Sequence, residues 1–172
     1  MSTARAERAA TELLDDLGIE TVPVPVEDVA MRLGAKIVHE SLDPSISGLL
    51  LREDGSKLIA VNSEHHPRRR RFTIAHELGH LQLHPGDYIV DSAVRINRRD
   101  ALSSMASDSE EIEANAFAAA LLMPAALIRT ALGGLRDSQA GNPGRVADIL
   151  AEQFGVSSEA MGYRLINLGL ST

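Results

Sequence analysis

Apolar and polar positions follow two rhythms along this chain, one near 3.6 residues and one near 2. Ala6, Ala9, Ala10, Leu13 and Leu14 recur at helical spacing and predict a helix over 3–17, capped by Ser2 or Thr3 and ended by Gly18. Val22-Pro23-Val24-Pro25 reads as an extended connector, because each proline turns the residue before it away from helix. A second helix over 26–33 follows Pro25 and closes at Gly34. Three short strands come next, over 35–39, 46–51 and 58–62. Asp54-Gly55 between the last two is a hairpin signal and predicts an antiparallel pair. A largely apolar helix around Arg71–Leu81 follows, broken by Pro85-Gly86-Asp87. Residues 87–109 are mixed and polar, a loop long enough to serve as a lid. A buried helix is predicted over 109–123, since 116–123 is almost entirely apolar, then a short one over 125–132 stopped by Gly133-Gly134. After a loop over 135–144, two helices over 145–154 and 157–168 are joined by Gly155-Val156-Ser157, a link similar to the turn of a helix-turn-helix.

Composition narrows this reading. A chain of 172 residues with 44% hydrophobic content can build one substantial core, and with 3% aromatics that core must be Leu, Val, Ile and Ala. The absence of cysteine excludes thiolate metal sites, disulfides and a cysteine nucleophile. A net charge of −7 argues against wholesale nucleic-acid binding. Residues 1–10 hold no apolar signal core, and no segment approaches the roughly 20 apolar residues of a membrane span, so a cytoplasmic protein is expected.

The candidate chemistry lies in His76-Glu77-Leu78-Gly79-His80. Two histidines four apart on a helix sit about 40° apart around the axis and one turn apart along it, so both imidazoles can reach one metal ion. Glu77 leaves the helix at another angle and can act as general base on a water at the metal. Phe72, Ile74, Ala75, Leu78, Leu81 and Leu83 make the flanks apolar, so these polar groups are buried and need partners.

Glu113 shares a helical face with Ala116, Phe117 and Ala120, and a carboxylate on a buried face needs a strong partner. A zinc ion short of a third ligand is one. Glu110, a turn earlier, is the rival, whereas Glu110 and Glu111 also suit a helix N-terminus for its dipole alone. Asn115 is placed to orient a ligand by hydrogen bonding. His84 lies off metzincin spacing and reads as a supporting residue. Arg68 to Arg71 read mostly as a solvated face, and His65 and His66 as surface residues. Residues 145–172 carry Arg145 and Arg164 against Asp148, Glu152 and Glu159, too little positive charge for a DNA reader.

His76-Glu77-Leu78-Gly79-His80, the Glu113-Ala114-Asn115-Ala116-Phe117-Ala118 block and Leu121-Leu122-Met123-Pro124 together resemble the ImmA/IrrE family of metallopeptidases. So do Arg71-Phe72-Thr73-Ile74-Ala75 and the tail from Phe154 to Leu170. The resemblance implies an α+β, zincin-like fold: a small three-stranded sheet, a metal-binding helix and a helical C-terminal part. It divides the chain into a metallopeptidase domain over 1–134 and a packed helix-turn-helix-like subdomain over 135–172, with no room for a further domain. It also implies a gluzincin-type site: His76, His80 and Glu113 as ligands of Zn²⁺ (or of Mn²⁺ or Fe²⁺), Glu77 as catalytic base, and an oxyanion donor for which Tyr88, His84 and Tyr163 are candidates. The implied activity is site-specific cleavage of a helix-turn-helix repressor, relieving repression during mobile-element induction or stress. Two other readings stay open: a non-cleaving anti-repressor that sequesters its partner, and a DNA-binding regulator using the tail.

Overall fold

The computed structural model describes residues 3–85, 88–92, 108–136 and 141–170. Two helices, α1 (Thr3–Asp16) and α2 (Val26–Arg32), precede strands β1 (Ala35–Glu40), β2 (Ile46–Glu53) and β3 (Ser56–Asn62). Helix α3 (Pro67–Leu83) and strand β4 (Tyr88–Ser92) follow, then α4 (Asp108–Leu122), α5 (Ala125–Gly133), α6 (Pro143–Phe154) and α7 (Ser158–Asn167). The expected helices and strands are present, and the sheet gains a strand. Its order is β1-β3-β2-β4, with β1 parallel to β3 and β2 antiparallel to β3 and β4. β4 arises inside the stretch predicted as a loop over 87–109; of the rest, residues 87 and 93–107 lie outside the described residues and 108–109 open α4.

The β2–β3 hairpin turns at Asp54 and Gly55, both at positive φ (48° and 81°), the backbone of a two-residue turn whose twist matches the strands. At the far end of β3, the buried Asn62 amide donates to the carbonyls of Leu42, Asp43 and Ile46, so one side chain satisfies the loop entering β2.

Helix α3 packs against β2 and β3 on one side and against α4 on the other, and α1 covers α4. It begins earlier than its apolar pattern suggests. Pro67 occupies the first turn, where its missing N–H costs nothing, and His66 Nδ1 accepts from the Arg68 N–H at 3.1 Å. His65 lies by the Pro44 carbonyl. The arginine run is more than a solvated face: Arg69 donates to Ser47 Oγ, and Arg71 to the carbonyls of Phe154 and Gly155.

One hydrophobic cluster joins Ala6 and Ala10 of α1, Ile59 and Val61 of β3, Ile74 and Leu78 of α3, Phe117 and Leu121 of α4, and Leu150, Phe154, Met161 and Leu165 of α6 and α7. Arg164, buried in α7, donates to the Met123 carbonyl and pairs with Glu7 at 3.2 Å. The stretch Asp108–Gly133 is long and apolar enough to cross a membrane, against the expectation that no segment approaches that length. Here it breaks at Pro124 into α4 and α5, and Phe117, Leu121 and Ile128 are fully buried in the common core.

Candidate metal centre

Gly79 of α3 packs directly onto Ala114 of α4. A Cβ there would stand 3.0 Å from Ala114 Cα and 3.1 Å from its carbonyl oxygen. Glycine facing alanine lets the two helices touch through their backbones, and this brings the histidines of α3 onto the carboxylates of α4.

His76 and His80 are buried, and their Nε2 atoms lie 3.1 Å apart. The Glu111 carboxylate completes the group, with Oε2 at 3.3 Å from His76 Nε2 and Oε1 at 3.0 Å from His80 Nε2. Zinc–nitrogen bonds of about 2.0–2.1 Å in a tetrahedron place donors about 3.3 Å apart. The three donors therefore stand at the spacing one such ion needs.

The proton positions agree. Asn115 Oδ1 accepts at 2.8 Å from His76 Nδ1, so the proton sits on Nδ1 and the Nε2 lone pair faces Glu111. Burial pushes the His80 pKa down, more than the neighbouring Glu111 carboxylate raises it, which favours the neutral imidazole. Burial on its own would raise Glu111, but its close contacts with His76 and His80 outweigh it and hold the carboxyl well below the usual range.

Glu113 stands elsewhere. It is buried as expected, but its Oε2 lies 2.9 Å from His84 Nε2 and 3.8 Å from Arg5 Nη1. The structure thus gathers His76 and His80 with Glu111 rather than with the expected Glu113. The physical reason is helical: positions 111 and 113 are about 200° apart around α4, and the face meeting the two histidines is the one bearing Glu111 and Asn115. That i, i+4 pair was the overlooked sequence signal, because a residue placed to orient His76 has its own neighbour one turn back.

Glu77 is fully buried and turned towards β2, where a Cβ on Gly48 would stand 3.3 Å from its Oε1. The β2–β4 register shifts between Ile46 and Gly48, so the ladder is irregular beside this carboxylate. Of the candidate oxyanion donors, His84 is engaged with His80 and Glu113, and Tyr163 is exposed and lines a groove with His66, Arg69 and Phe72. Tyr88 begins β4.

Fold and site together define a zincin-like α+β protein with a His-His-carboxylate centre. The chain belongs to the ImmA/IrrE family: the model of the IrrE N-terminal-like domain matches residues 30–166. It is 35% identical over 108 residues to the radiation response metalloprotease IrrE of Deinococcus deserti, covering 63% of this chain and 35% of that protein. It is 32% identical over 97 residues to immunity region protein 2 of Bacillus phage phi105, covering 56% of this chain and 57% of that one. The chain therefore spans about a third to just over half of these relatives. A Mycobacterium tuberculosis transcriptional regulator shares the fold, with a TM-score of 0.61 at 20% identity over 94% of this chain and 46% of that one.

Proposed function

We propose that this chain is a zinc-dependent, site-specific endopeptidase that cleaves a helix-turn-helix transcriptional repressor in the cytoplasm and so relieves repression. The observation that carries the reading is the convergence of His76 Nε2, His80 Nε2 and the Glu111 carboxylate at 3.0–3.3 Å, with Glu77 next in sequence to the first of them. Membership of a family with relatives named metalloprotease and immunity region protein supports the peptidase and repressor parts.

His76, His80 and Glu111 would hold the ion, and Asn115 fixes the first imidazole. Zinc bound there supplies Lewis acidity towards a water and a peptide carbonyl. Glu77 accepts the proton of the attacking water and returns it to the leaving amine. Burial of Glu77 keeps bulk water from competing for that proton. Among the described residues β4 is an edge of the sheet and pairs with the strand bearing Gly48, so an extended substrate segment adding to β4 would lie along the Glu77 side.

The test is intact-mass analysis of the repressor encoded nearest the gene, incubated with zinc-loaded wild type or Glu77→Gln. One new cut by wild type is expected. Glu77→Gln should retain zinc and cleave about 10²–10⁴-fold more slowly. A stable, uncut complex with both proteins would replace cleavage by sequestration.

A further inference from the structure

His76 and His80 of α3 and His84 at its C-cap form a continuous column. Ring centroids of His76 and His80 are 4.7 Å apart, and those of His80 and His84 are 5.1 Å apart. The column ends on a buried carboxylate, since His84 Nε2 lies 2.9 Å from Glu113 Oε2 and His84 Nδ1 lies 3.0 Å from His80 Nδ1.

Proton bookkeeping gives this row a direction. An ionised carboxylate only accepts, so His84 Nε2 carries the proton of the first bond. A neutral imidazole protonated at Nε2 has a bare Nδ1, so the proton of the second bond belongs to His80 Nδ1. His80 is then left with a lone pair on Nε2, the atom beside Glu111 and His76. The backbone under both rings is fixed as well: Arg52 of β2 donates to the carbonyls of His80 and His84, each at 2.7 Å. Arg5 of α1 reaches the same Glu113 oxygen at 3.8 Å and the Leu83 carbonyl at 3.5 Å.

We propose that Glu113 and His84 are positioning residues acting in series on His80, a carboxylate–imidazole–imidazole relay that holds His80 in the tautomer able to ligate a metal ion through Nε2. The inference rests on reading His76, His80 and Glu111 as the metal centre, and it gives the corrected Glu113 a role of its own. His76 is set by one acceptor, Asn115; His80 is set by a carboxylate two bonds away.

Zinc affinity, measured by competition with a chelating indicator, tests the relay in the full chain. Glu111→Gln should lose more than about 100-fold in affinity. The double variant His84→Phe, Glu113→Leu removes the relay without stranding a charge, because both partners become apolar. It should melt cooperatively and bind zinc about 10–100-fold more weakly. Glu113→Gln keeps an acceptor for His84 and should stay close to wild type. A ¹⁵N spectrum of the zinc-loaded wild type should show His80 protonated at Nδ1, with a slowly exchanging ring proton that exchanges faster in the double variant. Wild-type affinity and an unchanged ring proton in the double variant, with Glu111→Gln crippled, would overturn the relay alone. Loss of zinc in Glu113→Gln equal to that in Glu111→Gln would overturn it by making Glu113 a ligand. Failure of wild type to bind zinc would overturn both the relay and the metal reading.

Discussion

Asn115 Oδ1 accepts a 2.8 Å hydrogen bond from His76 Nδ1, tying the first histidine of α3 to the helix that also carries Glu111. One exposed amide thereby decides which imidazole nitrogen faces the centre. Asn115→Leu should bind zinc about 10–100-fold more weakly, with little change in melting temperature, because the side chain is on the surface. Asn115→Asp keeps the acceptor and should remain near wild type. Equal affinity in the leucine variant would show that His76 is oriented by packing alone.

Gly79→Ala sets two effects against each other. Alanine inside a helix is favoured over glycine by about 1 kcal/mol. The added Cβ would meet the Ala114 backbone at 3.0–3.1 Å, and backbone cannot swing aside. Overpacking of this kind costs about 1–3 kcal/mol, so the clash should win. The variant should melt about 2–6 °C lower and hold zinc more weakly as α3 and α4 separate. Gly162→Ala in α7 is the control, since nothing lies within 4 Å of its added Cβ. It should melt slightly higher, by about 1–3 °C.

These contrasts show what could be read from the chain alone. The convergence of His76 and His80 was legible because their relation is local: residues four apart on one helix share a face whatever the rest of the fold does. Glu113 was legible as buried, from its spacing to Phe117, but not in its partner. That partner depends on the rotation of α4 against α3, which the Gly79–Ala114 contact sets and no periodicity encodes. Glu111 was hidden by a sufficient local explanation, an acidic residue in the first turn of a helix. β4 was hidden because its five residues end in Asp91-Ser92 and run into a polar stretch. In the sequence Arg164 is only one of two cations in the tail, yet it is buried on the Met123 carbonyl and Glu7.

Arg52 is the fork that holds the end of α3. Its Nη1 and Nη2 donate to the carbonyls of His84 and His80, both 2.7 Å away, and its charge suits a helix C-terminus. Lysine cannot reproduce a planar fork. Arg52→Lys should cost about 1.5–3 kcal/mol, the value of a hydrogen bond to a charged group. Chemical denaturation should show this as a lower midpoint at unchanged slope. A change within about 0.5 kcal/mol, as for an ordinary surface substitution, would mean the helix end is held by other contacts.

Gly48 separates Glu77, the proposed base, from the proposed metal donors as targets. A Cβ there would stand 2.6 Å from Thr73 Cγ2, 3.1 Å from the Ala60 carbonyl oxygen and 3.3 Å from Glu77 Oε1. Thr73 and Glu77 are on the sheet-facing side of α3, whereas His76 and His80 meet α4. Gly48→Ala should therefore displace Glu77 more than it disturbs the histidines, lowering cleavage far more than zinc affinity. The tightest contact is with a methyl group that serine lacks. Adding Thr73→Ser to Gly48→Ala should restore part of the stability and part of the activity, a coupling of the 0.5–3 kcal/mol size seen for residues in contact, with about 1 kcal/mol expected here. Strictly additive effects of the two substitutions, read from melting curves and cleavage rates, would show that Gly48 acts on Glu77 by some route other than this methyl contact.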